Sequence, residues 1–299
     1  MEQQTNNRRE KMELKGIVPA LVTPFDRDGS VNIEELKKLV KLLLSEGADG
    51  FYVTGSTGEC FLLTDEERTR ITAAVVEASE GKVPVVAHVG KIGAAQAAKL
   101  AKEAQSVGAA AVSSVPPFYY DFKFDEIVKY YEVISDAVDL PLVVYNFPQY
   151  SGVSINASNL GLIMKNCRIG GLKYTDANLY ELERIRMQYP ELRIMFGQDE
   201  AFLYALPVGV DGAIGSTYNF MLKKFKRIWN AYQLGNMQEA EQVQHEACRI
   251  IDKLLCVRDI TAVKYLLGRK GIECGSCRLP FNPITEQEKQ LLDKIGDLD

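Results

Sequence analysis

The stretch Arg168-Ile169-Gly170-Gly171-Leu172-Lys173-Tyr174-Thr175-Asp176 reads as a short apolar strand that ends on a lysine and breaks at once into polar loop residues. A lysine held in a cleft and partly stripped of water is an amine nucleophile for carbonyl carbon. On position alone the commoner fate of such a lysine is a solvated surface, as for most charged side chains. Four other strand-end stretches bear on which it is. Thr54-Gly55-Ser56-Thr57-Gly58-Glu59 is a small-residue turn whose backbone N–H groups and hydroxyls suit an anion, more a carboxylate than a phosphate. A tight loop with no ligand would look similar. Tyr145, at the end of Val143-Val144-Tyr145-Asn146-Phe147-Pro148, is placed to shuttle protons near an amine, or else only to pack. Gly197-Gln198-Asp199-Glu200 sets two carboxylates at a helix start, where simple capping by the helix dipole is the competing explanation. Ile214-Gly215-Ser216-Thr217-Tyr218-Asn219 supplies hydroxyls that suit a polyol.

The elements that must position these residues alternate regularly. Apolar β-rich runs at 17–22, 50–54, 83–89, 110–115, 141–145, 168–173, 192–196 and 212–215 are each followed by a helical pattern. Those patterns cover 32–45, 65–78, 94–107, 125–137, 157–164, 179–188, 200–207 and 220–234. In the first, Ile33, Leu36, Leu39, Val40 and Leu43 recur at helical spacing. Thr64–Glu67, Asn178–Glu181, Asn236–Glu239 and Thr285–Glu288 read as capping boxes. Strands apolar on both faces belong to a sheet covered by helices. Eight strand–helix units predict a (β/α)8 TIM barrel over residues 16–234, with strand-end loops forming the functional face. A doubly wound open sheet is the alternative, weakened by the lack of GxGxxG after the first strand. Helical patterns at 236–256, 259–268 and 285–295 predict a C-terminal helical extension, residues 235–299, packed on the barrel. Residues 1–15 are polar and charged and read as a disordered N-terminal arm rather than a secretory signal.

Composition narrows the function. A formal net charge of -5 argues against a nucleic-acid or membrane surface. No apolar run approaches the roughly 20 residues that span a bilayer. Cys60 and Cys167 fall in or beside predicted core elements. Cys274-Gly-Ser-Cys277 has redox or zinc spacing but lacks two further ligands, and neither His88 nor His245 sits in a metal pattern. A reducing, cytoplasmic setting with no metal and no cofactor is expected. Together the loops offer hydrogen bonds for a small carboxylate at one end, a lysine and a tyrosine in the middle, and carboxylates with hydroxyls at the far end. A keto acid fits that order, with its carbonyl carbon at the lysine.

With these residues in hand, the chain resembles the lysine Schiff-base lyases that include N-acetylneuraminate lyase and dihydrodipicolinate synthase. The resemblance runs from Gly16 to about Phe281 and rests on GSTGE at 55–59, YNFP at 145–148, GLK at 171–173 and GxDE at 197–200. Tyr150 stands where the synthases carry an arginine for a second carboxylate substrate, and Ser56 where they usually carry a threonine. GQDE, IGSTYN and PPFYY at 116–120 look like the sialic acid lyase subgroup. The resemblance implies reversible cleavage of N-acetylneuraminate to N-acetylmannosamine and pyruvate, with Lys173 forming the imine and Tyr145, helped by Thr175, relaying protons. It implies that Ser56 and Thr57 hold the pyruvate carboxylate, and that Gly197, Asp199, Glu200 and Ser216 hold the sugar's hydroxyl tail. Tyr119 corresponds to a family tyrosine that completes the hydroxyl network. A homotetramer with a small-molecule substrate, and no nucleic-acid or membrane partner, is also implied. The rival expectations are a dihydrodipicolinate synthase, another pyruvate-dependent keto-sugar-acid aldolase, and a non-catalytic sugar-acid-binding or regulatory protein on the same fold.

Overall fold

The computed structural model describes residues 14–299; the expected N-terminal arm therefore lies almost wholly outside the described residues. Eight parallel strands run β1 (Gly16–Pro19), β2 (Phe51–Val53), β3 (Val85–His88), β4 (Ala111–Ser114), β5 (Leu142–Asn146), β6 (Ile169–Tyr174), β7 (Ile194–Phe196) and β8 (Gly212–Gly215). Their order is β1-β8-β7-β6-β5-β4-β3-β2. The two ends of that order meet through a parallel bridge, Ala20 to Tyr52, with Leu21 N donating to Tyr52 O at 2.9 Å. The sheet therefore closes into a TIM barrel, as the alternation of elements predicts.

The helices are α1 (Ile33–Ser45), α2 (Asp65–Ser79), α3 (Ala94–Ser106), α4 (Phe124–Ala137), α5 (Pro148–Ser151), α6 (Ala157–Met164), α7 (Leu179–Gln188), α8 (Phe202–Ala205), α9 (Tyr218–Gln233), α10 (Met237–Leu255), α11 (Asp259–Gly268) and α12 (Glu286–Asp293). Their starts follow local chemistry. Asn32 accepts from Glu35 N to open α1, and the Thr64–Glu67 and Thr285–Glu288 pairs form reciprocal capping boxes. At Asn178 and Asn236 the cap side chain accepts the N3 amide, and the N3 carboxylate does not take the cap's backbone N–H; at Asn236 the Glu239 carboxylate instead accepts from the cap's own Nδ2 at 3.0 Å. Leu36, Leu39, Val40 and Leu43 of α1 are buried, each worth roughly 1.5–3 kcal/mol of transfer free energy.

Two elements differ from the sequence-based expectation. The helix predicted over 200–207 is three short pieces: a 3-10 turn Asp199–Ala201, then α8, then a 3-10 turn Leu206–Val208. Pro207 has no N–H to continue an α ladder, and Gly209 ends the run at φ 95. The four-residue α5 is an addition, started by Pro148 at its first turn and ended by Gly152 at φ 72.

Side chains divide by strand parity. Val18, Tyr52, Val86, Ala111, Val143, Tyr145, Met195 and Ile214 pack in one inner cluster. Ile17, Phe51, Val53, Val85, Val112, Leu142, Val144, Leu172 and Ile194 face the surrounding helices in a second, larger one. On β6 the parity breaks once. Leu142 pairs with Ile169 but Val143 pairs with Gly171, so Gly170 is an extra residue, a β-bulge. Ile169 and Leu172 therefore share the outer face although they are three apart. Without the bulge, simple alternation from Ile169 would turn Lys173 outward. With it, Lys173 lies inward, paired with Tyr145 on β5 and Met195 on β7.

Candidate active site

Lys173 is 5% exposed, and its Nζ lies 4.1 Å from the centre of the Tyr145 ring and 4.5 Å from that of Tyr52. Burial pulls its pKa from the ordinary lysine range down to about 7, while the Asp199 carboxylate pulls the other way. At neutral pH a large fraction of the amine is therefore uncharged and nucleophilic. Flanking aromatic faces tolerate the protonated form as well. The expected consequence is an acid limb in kcat/KM, falling about tenfold per pH unit below about pH 7 as Lys173 takes up its proton. A pH–rate profile flat down to pH 5 would show that the reacting group is not a lysine with this environment.

Tyr145 is 2% exposed and stacks on Phe147 at 5.7 Å. Burial raises its phenol above the usual tyrosine range, with the hydroxyls of Thr175 and Ser56 acting against that. The Thr175 approach is a close contact rather than a well-directed hydrogen bond, because Thr175 Oγ1 has no regular partner. A phenol kept protonated beside an amine is suited to lend its proton and take it back. Tyr52 is fully buried too, and its hydroxyl donates to Ser113 Oγ at 3.1 Å, which in turn donates to Val143 O at 2.8 Å. His88 completes the aromatic floor at 6.3 Å from Tyr52 and 6.2 Å from Tyr145. Burial, then the Arg68 guanidinium, holds it well below the usual histidine range, so it is neutral. Val115 N donates to its Nε2 at 3.4 Å, which leaves Nδ1 to donate to Thr54 O at 3.1 Å.

The polar ends are built by the loops. On one side the 54–59 turn brings Ser56 next to Tyr145, with Ser56 and Thr57 both half-buried. On the other side Asp199 is 5% exposed, and its Oδ2 accepts from Thr217 N at 3.0 Å and Thr217 Oγ1 at 2.6 Å. Asp199 Oδ1 and the Tyr218 hydroxyl are buried with no regular hydrogen-bond partner. Burial pushes Asp199 up to about 7 against the Thr217 bonds. Two glycines make this packing possible. A side chain at Gly197 would overlap the Thr175 hydroxyl, and one at Gly215 would overlap the Asp199 carboxylate. Gln244 on α10 donates to Asp199 O at 3.1 Å and Glu200 O at 3.2 Å, fixing the acidic turn from outside the barrel. Asn219 ties β8 to β1 by donating to Ala20 O and Ser216 O, both at 2.7 Å.

Lys173, Tyr145, Ser56, Thr175, Gly197 and Asp199 are thus brought into one cluster, with Thr57 on the turn that carries Ser56. Ser216 is half-buried beside it, and its hydroxyl approaches the Asp259 carboxyl closely enough to act against the rise in pKa that burial causes there. Glu200 is exposed at the rim, close enough that its charge helps raise both Asp199 and Asp259. Tyr119 is 85% exposed at φ 81 and touches Tyr120, its ring centre at 5.1 Å, rather than the lysine cluster. Tyr150 is also exposed, against Phe147 at 4.5 Å. Sequence reasoning passed over Tyr52, His88 and Asp259. The first two were accessible from strand alternation, since Tyr52 lies between outward Phe51 and Val53. Asp259 comes from α11, and nothing local signals its approach to Ser216. Among the described residues no group of three or more His, Cys, Asp or Glu could hold a metal ion, and no helix is long and apolar enough to cross a membrane.

A closed parallel barrel with a desolvated amine at the C-terminal end of a strand defines a class of protein, the barrels equipped for imine chemistry on carbonyl compounds. More narrowly, the chain belongs to the dihydrodipicolinate synthetase family, whose model matches residues 13–297. It is 39% identical over 277 residues to the N-acetylneuraminate lyase of Citrobacter koseri, covering 92% of this chain and 93% of that one. The solved structure of CdNal from Clostridium difficile in complex with mannosamine superposes with a TM-score of 0.92 at 36% identity, covering 95% of this chain and 98% of that one. A catalytic lysine mutant of the Ruminococcus gnavus sialic acid aldolase superposes with a TM-score of 0.92 at 28% identity, over 95% and 96% of the two chains.

Proposed function

We propose that this protein is a lyase that reversibly cleaves N-acetylneuraminate to N-acetylmannosamine and pyruvate through a Schiff base on Lys173. The observation that carries this reading is the burial of Lys173 Nζ between Tyr52 and Tyr145, with its pKa pulled down to about 7. The uncharged amine attacks the keto carbon of the open-chain sugar acid. The carbinolamine then loses water, leaving a protonated imine. Tyr145 supplies and recovers protons in these steps, with Thr175 and Ser56 orienting its phenol. As the proton leaves the hydroxyl on the carbon beyond the scissile bond, that bond's electron pair moves into the imine and the sugar aldehyde departs. The resulting enamine is protonated on carbon, and water releases pyruvate and the free lysine.

Ser56 and Thr57 hold the keto acid's carboxylate, while Asp199, Glu200, Gly197 and Ser216 bind the hydroxyl tail. Asp199→Asn should weaken sugar binding by ~10–100-fold, the worth of a hydrogen bond to a charged group. Imine trapping with pyruvate alone should survive in that variant, because Asp199 faces the other end of the substrate. An unchanged KM for the sugar acid would remove Asp199 from the binding site. A dihydrodipicolinate synthase is disfavoured by the same carboxylates, since a second carboxylate substrate would meet like charge. Pyruvate release from N-acetylneuraminate, assayed against condensation of pyruvate with aspartate semialdehyde, separates the two activities. By family resemblance the working form is a cytoplasmic homotetramer, with a barrel over 16–234 carrying the helical extension 235–299. Sedimentation as a monomer or dimer at assay concentration would contradict the tetramer.

A further inference from the structure

Both carboxylate oxygens of Glu59 are occupied from the C-terminal part of the chain. Oε1 accepts from Lys264 Nζ at 2.5 Å, and Oε2 accepts from the backbone N–H of Arg278 at 2.8 Å. Lys264 lies on α11, 205 residues from Glu59, and the two side chains are 2% and 0% exposed. The ammonium also sits 4.2 Å from the centre of the Phe25 ring, with the Arg278 guanidinium 4.5 Å from the same ring. Arg278 Nη1 donates to Leu62 O at 2.8 Å and to Glu67 Oε2 at 2.7 Å, so the whole segment is fastened along the loop after β2. A buried ion pair is a poor source of net stability, because desolvation offsets most of its attraction. Its placement here is better explained by what Glu59 does.

Glu59 ends the turn that holds Ser56 and Thr57, and its own N–H donates to Ser56 O at 3.0 Å. The turn begins and ends in left-handed backbone on residues other than glycine, Thr54 at φ 52 and Glu59 at φ 59. Such conformations persist only where the surroundings over-determine them. Thr54 is held by its hydroxyl on His88 O at 2.9 Å, and Gly58 by its carbonyl accepting from Thr23 Oγ1 at 2.8 Å. Glu59 is held by Lys264 and Arg278.

We propose that Lys264, acting with the Arg278 N–H, is a positioning residue for the keto acid's carboxylate. It fixes Glu59, and through Glu59 the one conformation of the 54–59 turn that presents Ser56 and Thr57 to the anion. The inference rests on the imine-forming keto-acid reading above and adds to it a long-range support for the anion end of the site.

The test compares the parent protein with the charge-neutral pair Glu59→Gln/Lys264→Met, each checked for a cooperative thermal melt. The readout is the concentration of pyruvate that gives half-maximal borohydride trapping on the Lys173 peptide, beside the same measurement with acetone, which has the carbonyl but no carboxylate. Displacing the turn should raise the pyruvate value by ~10–100-fold, the scale of a misplacement near 1 Å, and leave the acetone value where it was. An unchanged pyruvate value overturns the inference, as does an equal shift for both carbonyl compounds. Glu59→Gln alone keeps the side-chain shape and one acceptor oxygen, so it serves if the double variant does not fold. It should shift pyruvate in the same direction by less, and no shift there also overturns the inference. Failure of the parent to trap pyruvate at Lys173 would instead overturn the keto-acid reading and this inference with it.

Discussion

Lys173→Met is expected to abolish turnover and at the same time to make the protein more stable. Loss of a covalent nucleophile costs activity by at least ~10⁴-fold, on the scale seen when such groups are removed from other enzymes. The stability gain follows from linkage. Burial lowers the amine from 10.5 to about 7, so between those values the unfolded chain binds a proton that the folded chain does not. Stability of the parent therefore rises with pH across that window. Below about pH 7 both states are protonated, and the full penalty for burying the charge falls on the folded protein, of the order of 4–5 kcal/mol at ~1.4 kcal/mol per unit. Methionine fills a similar volume without a charge. Its melting temperature should exceed the parent's most clearly at pH 6–7, with the difference shrinking towards pH 10. A variant that melts no higher than the parent at pH 6 would mean that Lys173 is not desolvated as the geometry implies.

Tyr145→Phe is the second large effect. The ring of Phe keeps the face toward Lys173 Nζ, 4.1 Å away in the parent, and keeps the stacking on Phe147. Only the hydroxyl beside Thr175 and Ser56 is lost. A missing acid–base group should lower kcat by ~10²–10⁴-fold, with a smaller change in KM, while slow imine trapping with pyruvate persists. A rate within a factor of about two of the parent would reduce Tyr145 to a packing residue, since a working proton relay is worth far more than that. The two variants thus separate the group that forms the covalent bond from the group that moves protons around it.

Much of this arrangement was legible in the chain because it is local. Alternating apolar runs and helical patterns located all eight strands, and the Thr64–Glu67 and Thr285–Glu288 spacings opened two helices where the structure opens them. The Lys173, Tyr145 and Asp199 stretches stood at strand ends, and the barrel gathers strand ends onto one face. The sense in which Lys173 points was not legible. It depends on the single extra residue Gly170, and Gly170-Gly171 carries no side chain to betray which of the two is the bulge. The break-up of 200–207 was hidden for a related reason, as a short apolar run with a late proline fits one helix as well as three turns.

Long-range pairings lay furthest out of reach. Glu59 in GSTGE looks like a solvated loop acid, and Lys264 like the polar side of α11. Only the closed barrel with α11 against it brings them to 2.5 Å. Gln244 on the acidic turn and Asp259 on Ser216 are of the same kind. Each comes from the C-terminal helices and reaches a loop that local sequence had already singled out. Those helices therefore brace both polar ends of the cleft, the anion turn through α11 and the carboxylate turn through α10.

The most direct test of the whole account is reduction with borohydride in the presence of pyruvate, followed by digestion and peptide mass analysis. The expected product is a single reduced pyruvyl adduct, on Lys173, formed in step with loss of lyase activity. An adduct on another lysine, or full activity with no adduct at all, would contradict it.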